Sequence, residues 1–245
     1  MIRLSSFSLA GCLLLTGSLF ASEGTEWDYD GAEGPEAWGQ LDASFDMCER
    51  GRNQSPINLV ADVDADLPAV SFDYHARGFL EEMNTGHAIQ INVRPGNSVT
   101  FRDEVFELKQ FHFHSPSEHT VKGKSYPMEV HFVHQHEDGA LLVVGLLFEE
   151  GPRNVAMDEL PSFRAARGLE PSTEPIDYNA LILDRDQFYL YNGSLTTPPC
   201  SEGVEWVVMK SPIIASQDQI EHYYALLGFD NNRPVQPRHA RIILE

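Results

Sequence analysis

Residues 107–114 have the sequence ELKQFHFH, and residues 128–134 have the sequence MEVHFVH. Polar and apolar side chains alternate in both stretches, and a period of two is typical of a β-strand. The first strand would therefore present His112 and His114 on one face and two phenylalanines on the other. If the second strand is its antiparallel neighbour, His131 would lie opposite the first two histidines.

Other strand-like runs recur along the chain, separated by turn residues. They span residues 88–93, 98–101, 140–148, 187–191 and 204–210. Helical periodicity is confined to residues 154–167, which Pro161 interrupts, and residues 216–227, which begin with a serine cap and end before Gly228. The pattern indicates a strand-dominated chain.

Residues 141–147 are apolar in succession rather than alternately, which predicts a central strand covered on both faces. We therefore expect a mainly β, or β-rich α+β, fold. Its core would be a large central, twisted and mostly antiparallel sheet of about ten strands, with short peripheral helices.

The composition is that of a globular protein with a strongly acidic surface. The 245 residues include 17 Lys and Arg against 37 Asp and Glu, a formal net charge of -20. This charge repels phosphate backbones and anionic lipids, so nucleic acid is excluded as an expected partner. The simplest explanation of the negative charge is that it keeps the protein soluble.

The N-terminus has the features of an export signal. Arg3 precedes an apolar stretch over residues 9–20, which small residues follow and which is too short to span a bilayer. We expect residues 1–22 to be a signal peptide and residues 23–245 to form one mature domain, periplasmic or secreted. The sequence LAGC that ends at Cys12 resembles a lipoprotein cleavage box, so lipidation there is the alternative.

Cleavage of the signal would leave two cysteines, Cys48 and Cys200, in an oxidising compartment. We expect a disulfide between them. In the chain-entropy model such a bond contributes roughly 5 kcal/mol as an upper figure. Two free buried thiols are the alternative.

Three histidines on one sheet face are a candidate metal site. Three imidazoles and a water form the open tetrahedral site of catalytic zinc. A His-x-His pair alone is a weak signal, because such histidines are more often ordinary polar residues. Gln110 and Glu129 each stand two residues before a candidate ligand, where a side-chain oxygen can accept the second imidazole N–H. This shared spacing favours the metal-site interpretation over two exposed polar residues.

Several segments resemble the motifs of the α-class carbonic anhydrases. The most specific is GSLTTPP at residues 193–199, and residues 110–114, 117–120 and 129–134 also match. Matching residues nearer the two ends are Trp27, Tyr29, Gly34, Pro35, Trp38, Gln54, Ser55, Pro56, Ile57, Asn231, Arg233 and Pro234. The resemblance spans nearly the whole mature chain in the family's order.

The resemblance implies reversible hydration of carbon dioxide to bicarbonate and a proton by attack of zinc-bound hydroxide. One Zn²⁺ per chain would be held by His112, His114 and His131. Thr196 would donate a hydrogen bond to Glu118 and accept one from the hydroxide, which orients the nucleophile.

The resemblance also implies the surroundings of the zinc. The hydrogen-bond partners of the ligands would be Gln110, Glu129 and Asn231. The substrate pocket would consist of Val133, Val143, Leu195, Thr197, Val204 and Trp206. Without the resemblance, its apolar members would be assigned to the core.

His87 matches the family position that exports the proton, and a histidine that titrates near neutrality suits this role. Tyr29, Thr85 and Gln90 would organise the connecting water molecules. Thr85 and Gln90 stand where better known members often carry Asn. His119 and His134 are expected to be structural.

The expected partners are carbon dioxide, bicarbonate and water. Weak ester hydrolysis would follow from the same site, whereas the His-Glu-x-x-His helix of a metalloprotease is absent from the sequence. A binding role, known from relatives that have lost zinc ligands, is the main alternative. Exported bacterial members carry a disulfide that matches Cys48 and Cys200, and they often dimerise, so a homodimer is also expected.

Overall fold

The computed structural model describes residues 25–75, 79–168, 177–182 and 185–245. The expected signal peptide and Cys12 lie outside the described residues. Within these ranges, no helix combines the length and the apolar character that crossing a membrane requires.

Strands dominate the described part of the chain. In chain order they are β1 (Asn58–Leu59), β2 (Ser71–Asp73), β3 (Phe79–Asn84), β4 (Ile89–Val93), β5 (Ser98–Phe101), β6 (Glu104–His114), β7 (Thr120–Val121), β8 (Glu129–Gln135), β9 (Leu141–Glu150), β10 (Phe188–Ser194), β11 (Glu202–Met209) and β12 (Ile213–Ala215). Ten of them form the central sheet, and β1 and β7 form a separate parallel pair.

The central sheet has the strand order β10-β11-β9-β8-β6-β4-β3. Strand β5 also pairs with β6, β2 pairs with β5, and β12 pairs with β9. The two pairings of β9 with β11 and β12 are parallel, and the other pairings in the sheet are antiparallel. The predicted mainly β fold with a mostly antiparallel sheet is confirmed.

Strand β9 is the central strand that the apolar run predicted. It pairs with β8, β11 and β12, and its residues 142–148 are all buried. A strand with neighbours on both edges and apolar layers on both faces has no side-chain position that faces water. Its apolar residues are therefore successive rather than alternating.

The helices are short and peripheral. They are α1 (Trp38–Leu41), α2 (Met47–Arg50), α3 (Pro161–Ala166) and α4 (Gln217–Leu227), with 3₁₀ turns at Gly31–Glu33, Ala43–Phe45, Met157–Glu159 and Tyr178–Leu181. Pro161 occupies the start of α3, where a missing N–H costs nothing, so the predicted helical segment 154–167 is divided into a 3₁₀ turn and a helix.

The ends of α4 follow the predicted signals. The Ser216 side chain accepts from the Gln219 N–H, and the Gln219 side chain accepts from the Ser216 N–H, which forms a capping box. Gly228 ends the helix with φ 84°, a left-handed conformation that glycine adopts without a Cβ clash.

The central sheet separates two apolar clusters. Phe111, Phe113 and Phe132 are fully buried in the larger cluster, and burial of each stabilises the fold by roughly 2 kcal/mol. Val143 and Trp206 belong to the smaller cluster on the other face. The histidines that alternate with these phenylalanines in β6 lie on the side of the smaller cluster, as predicted.

The predicted disulfide between Cys48 and Cys200 is formed. It joins α2 to the loop between β10 and β11, and the fully buried Trp38 packs in the same cluster. The Cys200 N–H donates to the Thr197 carbonyl at 2.8 Å, and the Cys200 carbonyl accepts from Gln54 Nε2 at 3.0 Å. The bond therefore anchors one end of the loop that carries the Thr-Thr-Pro-Pro segment.

Candidate active site

Strands β6 and β8 bring three histidines together. Their antiparallel register places His131 directly opposite His112, with His114 two residues further along β6. The three side chains each offer a ring nitrogen, and these nitrogens lie within 4.8 Å of one another. This separation suits ligands that share one metal ion.

In each of the three rings, one nitrogen donates a hydrogen bond, and the other nitrogen is left without a proton. His112 Nδ1 donates to Gln110 Oε1 at 2.8 Å, and His131 Nε2 donates to Glu129 Oε1 at 2.8 Å. His114 Nδ1 donates to the backbone carbonyl of Asn231 at 2.7 Å. The nitrogens that remain, Nε2 of His112 and His114 and Nδ1 of His131, therefore carry lone pairs.

Burial keeps two of these imidazoles neutral. It lowers the pKa of His112 well below the ordinary value, and the neighbouring His114 and His131 lower it further. Burial also lowers the pKa of His114, although the nearby Glu118 opposes the shift. Neutral imidazole is the form that coordinates a metal.

Glu129 is a buried carboxylate with four hydrogen-bond donors. Oε1 accepts from His131 and from His119 Nδ1 at 2.7 Å, and Oε2 accepts from the backbone N–H groups of Glu118 and His119 at 3.0 and 2.8 Å. Burial alone would raise the pKa of Glu129, but the two histidines hold it well below the ordinary value. The carboxylate is therefore ionised, and it fixes the ring orientation of His131.

A longer hydrogen-bond chain stands behind Glu129. His119 Nε2 accepts from the Tyr191 hydroxyl at 2.7 Å, and that hydroxyl accepts from the Ser55 hydroxyl at 2.8 Å. His134 is likewise fully hydrogen-bonded, because its Nδ1 donates to the Leu142 carbonyl and its Nε2 accepts from Tyr74. Both His119 and His134 thus lie in the interior of the fold with internal partners.

Glu118 presents an unpaired oxygen to the histidines. Its Oε1 accepts from the backbone N–H of Arg233 at 2.8 Å, whereas Oε2 is buried and has no hydrogen-bond partner. Oε2 lies 3.6 Å from His114 Nε2 and 3.9 Å from His131 Nδ1. His114 Nε2 is also buried without a partner. Acceptor atoms that converge without a donor between them are stabilised by a cation, so the residues fit a bound metal.

Thr196 is buried beside this group. The resemblance implies a hydrogen bond from Thr196 to Glu118, but Glu118 Oε2 receives none in the structure. The oxygen faces the two imidazoles instead. Thr196 nevertheless lines the same cavity as all three histidines.

That cavity has a volume of about 360 Å³. The substrate-pocket residues that line it are Val133, Val143, Leu195, Thr197 and Trp206. The sixth residue expected there, Val204, does not line it. Val204 lies in the smaller apolar cluster with Val143 and Trp206.

His87 also lines the cavity, where it lies against Trp27. Its Nε2 donates to the Trp27 carbonyl at 2.8 Å, and the two rings stack with centroids 3.6 Å apart and an interplanar angle of 8°. With Nε2 as a donor, Nδ1 of His87 carries the lone pair.

The three residues expected to organise water line the cavity but differ in what they offer. The Thr85 hydroxyl is used within its own turn, where it donates to the Ala88 carbonyl at 3.1 Å and accepts from the Ala88 N–H at 3.0 Å. Gln90 Nε2 donates to Asn92 at 2.8 Å. The Tyr29 hydroxyl is buried without a partner, and burial, aided by Glu118, raises its pKa well above the ordinary value.

Three contributors to the site were not predicted from the sequence: the Arg233 N–H, the Tyr191 hydroxyl and the Trp27 ring. Each lies far along the chain from its partner, and none stands at a spacing that a strand or helix period would detect. Arg233 and Trp27 belong to matched segments, so the resemblance was their only signal in the sequence.

Comparison with known proteins gives consistent results. Residues 33–245 match the family model of the eukaryotic-type carbonic anhydrases. A carbonic anhydrase of Pectobacterium atrosepticum is 40% identical over 242 residues, which are 97% of this chain and 98% of that protein. One of Neisseria gonorrhoeae is 39% identical over 245 residues, which are 99% of this chain and 96% of that protein.

A solved structure extends the likeness to three dimensions. The α-carbonic anhydrase of Thermovibrio ammonificans, in complex with the inhibitor sulfanilamide, superposes with a TM-score of 0.83 at 41% identity and covers 91% of this chain and 100% of its own. Sequence, fold and the histidine cluster point the same way: this chain belongs to the eukaryotic-type, or α-class, carbonic anhydrase family.

Proposed function

We propose that the chain catalyses the zinc-dependent, reversible hydration of carbon dioxide to bicarbonate and a proton. The observation that carries the proposal is the convergence of three imidazoles, two buried and one half-buried, each with an unengaged nitrogen, in a cavity with one apolar wall. Membership of the carbonic anhydrase family supports the same activity.

His112, His114 and His131 would hold the zinc ion, one ion per chain. The oxygens that accept their second N–H groups belong to Gln110, Glu129 and Asn231. When bound, zinc supplies a Lewis acid that lowers the pKa of water and so yields a nucleophile at neutral pH. Imidazole ligands carry no charge, so the full charge of the ion would act on the water. The hydrogen bonds to their second N–H groups hold the rings in place.

Thr196 and Glu118 would orient the reacting water. The Arg233 N–H holds Oε1 of Glu118, which leaves Oε2 as a buried acceptor without a donor. The Thr196 hydroxyl is a donor on the wall of the same cavity. A hydrogen bond from Thr196 to Oε2 would fix the hydroxyl proton, so that the threonine oxygen accepts from the water and aims a lone pair at the substrate carbon.

Carbon dioxide would bind against the apolar wall of Val133, Val143, Leu195 and Trp206. A small apolar molecule gains by leaving water for such a surface. Thr197 lines the cavity beside them and offers a hydroxyl to the anionic product. The same constellation would hydrolyse activated esters slowly.

His87 would accept the proton and release it to solvent. Its ring lines the cavity, is partly exposed, and carries a lone pair on Nδ1. Water between His87 and the histidine cluster would be held by Tyr29 and Gln90. Thr85 would contribute little, since its hydroxyl is already engaged within the turn.

The location and the oligomeric state of the protein are two further proposals. We propose that residues 1–22 direct export to the periplasm or medium, where the Cys48–Cys200 bond would persist. Lipidation at Cys12 is the alternative anchor, and mass spectrometry of the mature N-terminus distinguishes the two. Sedimentation of the purified protein would test the expected homodimer.

One experiment tests the central proposal. The purified protein should contain one zinc ion per chain and hydrate carbon dioxide, and His114→Ala should lose metal and rate together. A protein that binds zinc without hydrating carbon dioxide would support the binding role instead. Ester turnover faster than carbon dioxide hydration would indicate a hydrolase.

A further inference from the structure

Asn231 contacts both the histidine cluster and the turn that carries His87. Its backbone carbonyl accepts from His114 Nδ1 at 2.7 Å, and its side-chain Nδ2 donates to the His87 carbonyl at 3.0 Å. We propose that the Asn231 side chain is a positioning residue for proton export, which holds His87 at a fixed distance from the metal ligands. This inference rests on the proposed function, in which His87 carries the proton.

The orientation of the Asn231 amide is fixed by its partners. Oδ1 accepts from the Ser115 N–H at 2.8 Å, and a backbone N–H can only donate, so the oxygen must lie on that side. Nδ2 then donates to the carbonyls of His87 and Phe113, both at 3.0 Å, with a third and longer contact of 3.4 Å to the Tyr223 hydroxyl. Asn231 is fully buried, so loss of these bonds is not compensated by solvent.

Two of these partners belong to the end of the metal-ligand strand. Phe113 and Ser115 flank His114, so the amide forms hydrogen bonds to the backbone on either side of that ligand. The third partner, His87, lies in the turn between β3 and β4. A single side chain therefore joins the ligand strand to the turn across which the proton would leave.

The turn that carries His87 is held together by its own hydrogen bonds. The Thr85 N–H donates to the Ala88 carbonyl at 3.0 Å, and the Thr85 hydroxyl accepts from the N–H groups of His87 and Ala88 at 3.3 and 3.0 Å. The Gly86 N–H donates to the Asn84 side chain at 2.9 Å. These bonds are internal and set the shape of the turn.

Strand β4, which follows the turn, pairs with β6 and places Gln90 opposite His112, and Trp27 holds the His87 ring. The Asn231 bond to the His87 carbonyl adds a direct connection from the ligand strand to His87 itself.

The two roles of Asn231 are separable by mutation. The bond to His114 uses the backbone carbonyl, which every residue retains. Asn231→Ala also removes the side-chain bonds to Phe113 and Ser115 on either side of His114, so zinc content and kcat/KM for carbon dioxide are measured alongside kcat. Both should fall by less than kcat does. At low buffer concentration kcat should fall about tenfold, since displacement of a relay group by about 1 Å can cost up to 100-fold in rate. A small diffusible base such as imidazole should restore it.

A double-mutant cycle tests whether the effect runs through His87. His87→Ala should lower kcat at low buffer by about tenfold or more. If Asn231 acts by positioning His87, adding Asn231→Ala to that variant should lower kcat no further. Additive losses, or equal losses of kcat, kcat/KM and zinc, would show that Asn231 serves only the fold and would overturn the inference.

Two further variants complete the test: one in case the alanine variant does not fold, and one as a control. Asn231→Ser is uncharged, keeps a hydroxyl on the side chain and lacks the amide that donates to His87, so it should reproduce the loss of kcat if the alanine variant fails to fold. Asn97→Ala removes another fully buried asparagine, which accepts from the His75 N–H and does not line the cavity, and its kcat should be unchanged. A wild-type protein without carbon dioxide hydration would refute the proposed function instead.

Discussion

The side-chain amide of Gln110 orients His112, one of the proposed metal ligands. Its oxygen holds His112 Nδ1–H, so Nε2 faces the cavity without a proton. Residues in this position commonly contribute 10- to 100-fold to metal affinity. Gln110→Ala should therefore weaken zinc binding by about 10- to 100-fold in a chelator competition assay. Gln135→Ala, an exposed glutamine at the end of β8, should leave the affinity unchanged, and equal losses in both variants would contradict this role.

At the residue scale, the period of two was enough to put three histidines on one sheet face. It could not detect contacts that depend on distant segments, such as the Arg233 N–H on Glu118 or the Trp27 ring on His87. It also could not tell which apolar residues of the smaller cluster line the cavity. Val143 and Trp206 line it, whereas Val204, in the same cluster, does not.

At the element scale, the disulfide connects α2 with the loop that carries Thr196. Cys48→Ser with Cys200→Ser should lower the free energy of unfolding by up to roughly 5 kcal/mol, because the unfolded chain loses a long-loop constraint. Turnover of the still folded fraction should also fall, since the loop loses its anchor. Urea unfolding and carbon dioxide hydration, measured with and without reductant on the wild type, test both effects. Unchanged stability and turnover would refute the anchoring role.

The capping box of α4 allows a local test. Ser216→Ala removes the acceptor for the Gln219 N–H and should destabilise the fold by about 1 kcal/mol in chemical denaturation. Ser216→Asn, which keeps an acceptor, should cost less. Gln217→Ala, at the exposed neighbouring position, provides the matched control. An alanine variant as stable as the wild type would mean that the cap is not formed in solution.

Elements were predictable where side-chain patterning was strong. The long apolar run over β9 and the serine and glycine that bound α4 were located correctly. Strand β3, with the sequence FLEEMN, and the three-residue β12 were missed. Both owe their strand conformation to pairing with β4 and β9 rather than to local propensity.

At the scale of the whole molecule, a buried histidine should make stability depend on pH. Burial lowers the pKa of His134 to about 3 from an ordinary value of 6.5. Between these values the unfolded chain binds a proton that the folded chain does not, so acidification favours unfolding. The loss should reach at most about 1.4 kcal/mol per pH unit, and it should vanish above pH 6.5.

Urea unfolding at pH 7, 5.5 and 4 tests this expectation. His134→Gln removes one titrating ring and should reduce the slope by at most about 1.4 kcal/mol per pH unit, because other buried groups still contribute. His75→Gln provides the same substitution at an exposed position for comparison. Identical slopes in the wild type and in His134→Gln would assign acid sensitivity to other groups.

The C-terminal segment has a consequence for how the protein matures. The Asn231 carbonyl orients His114, and the Arg233 N–H holds Glu118, although β6 is synthesised more than a hundred residues earlier. A nascent chain that has emerged only as far as β11 has all three histidines, Gln110 and Glu129, but lacks the carbonyl that orients His114 and the N–H that holds Glu118. We therefore expect a chain that ends before Asn231 to bind zinc more weakly than the full-length chain.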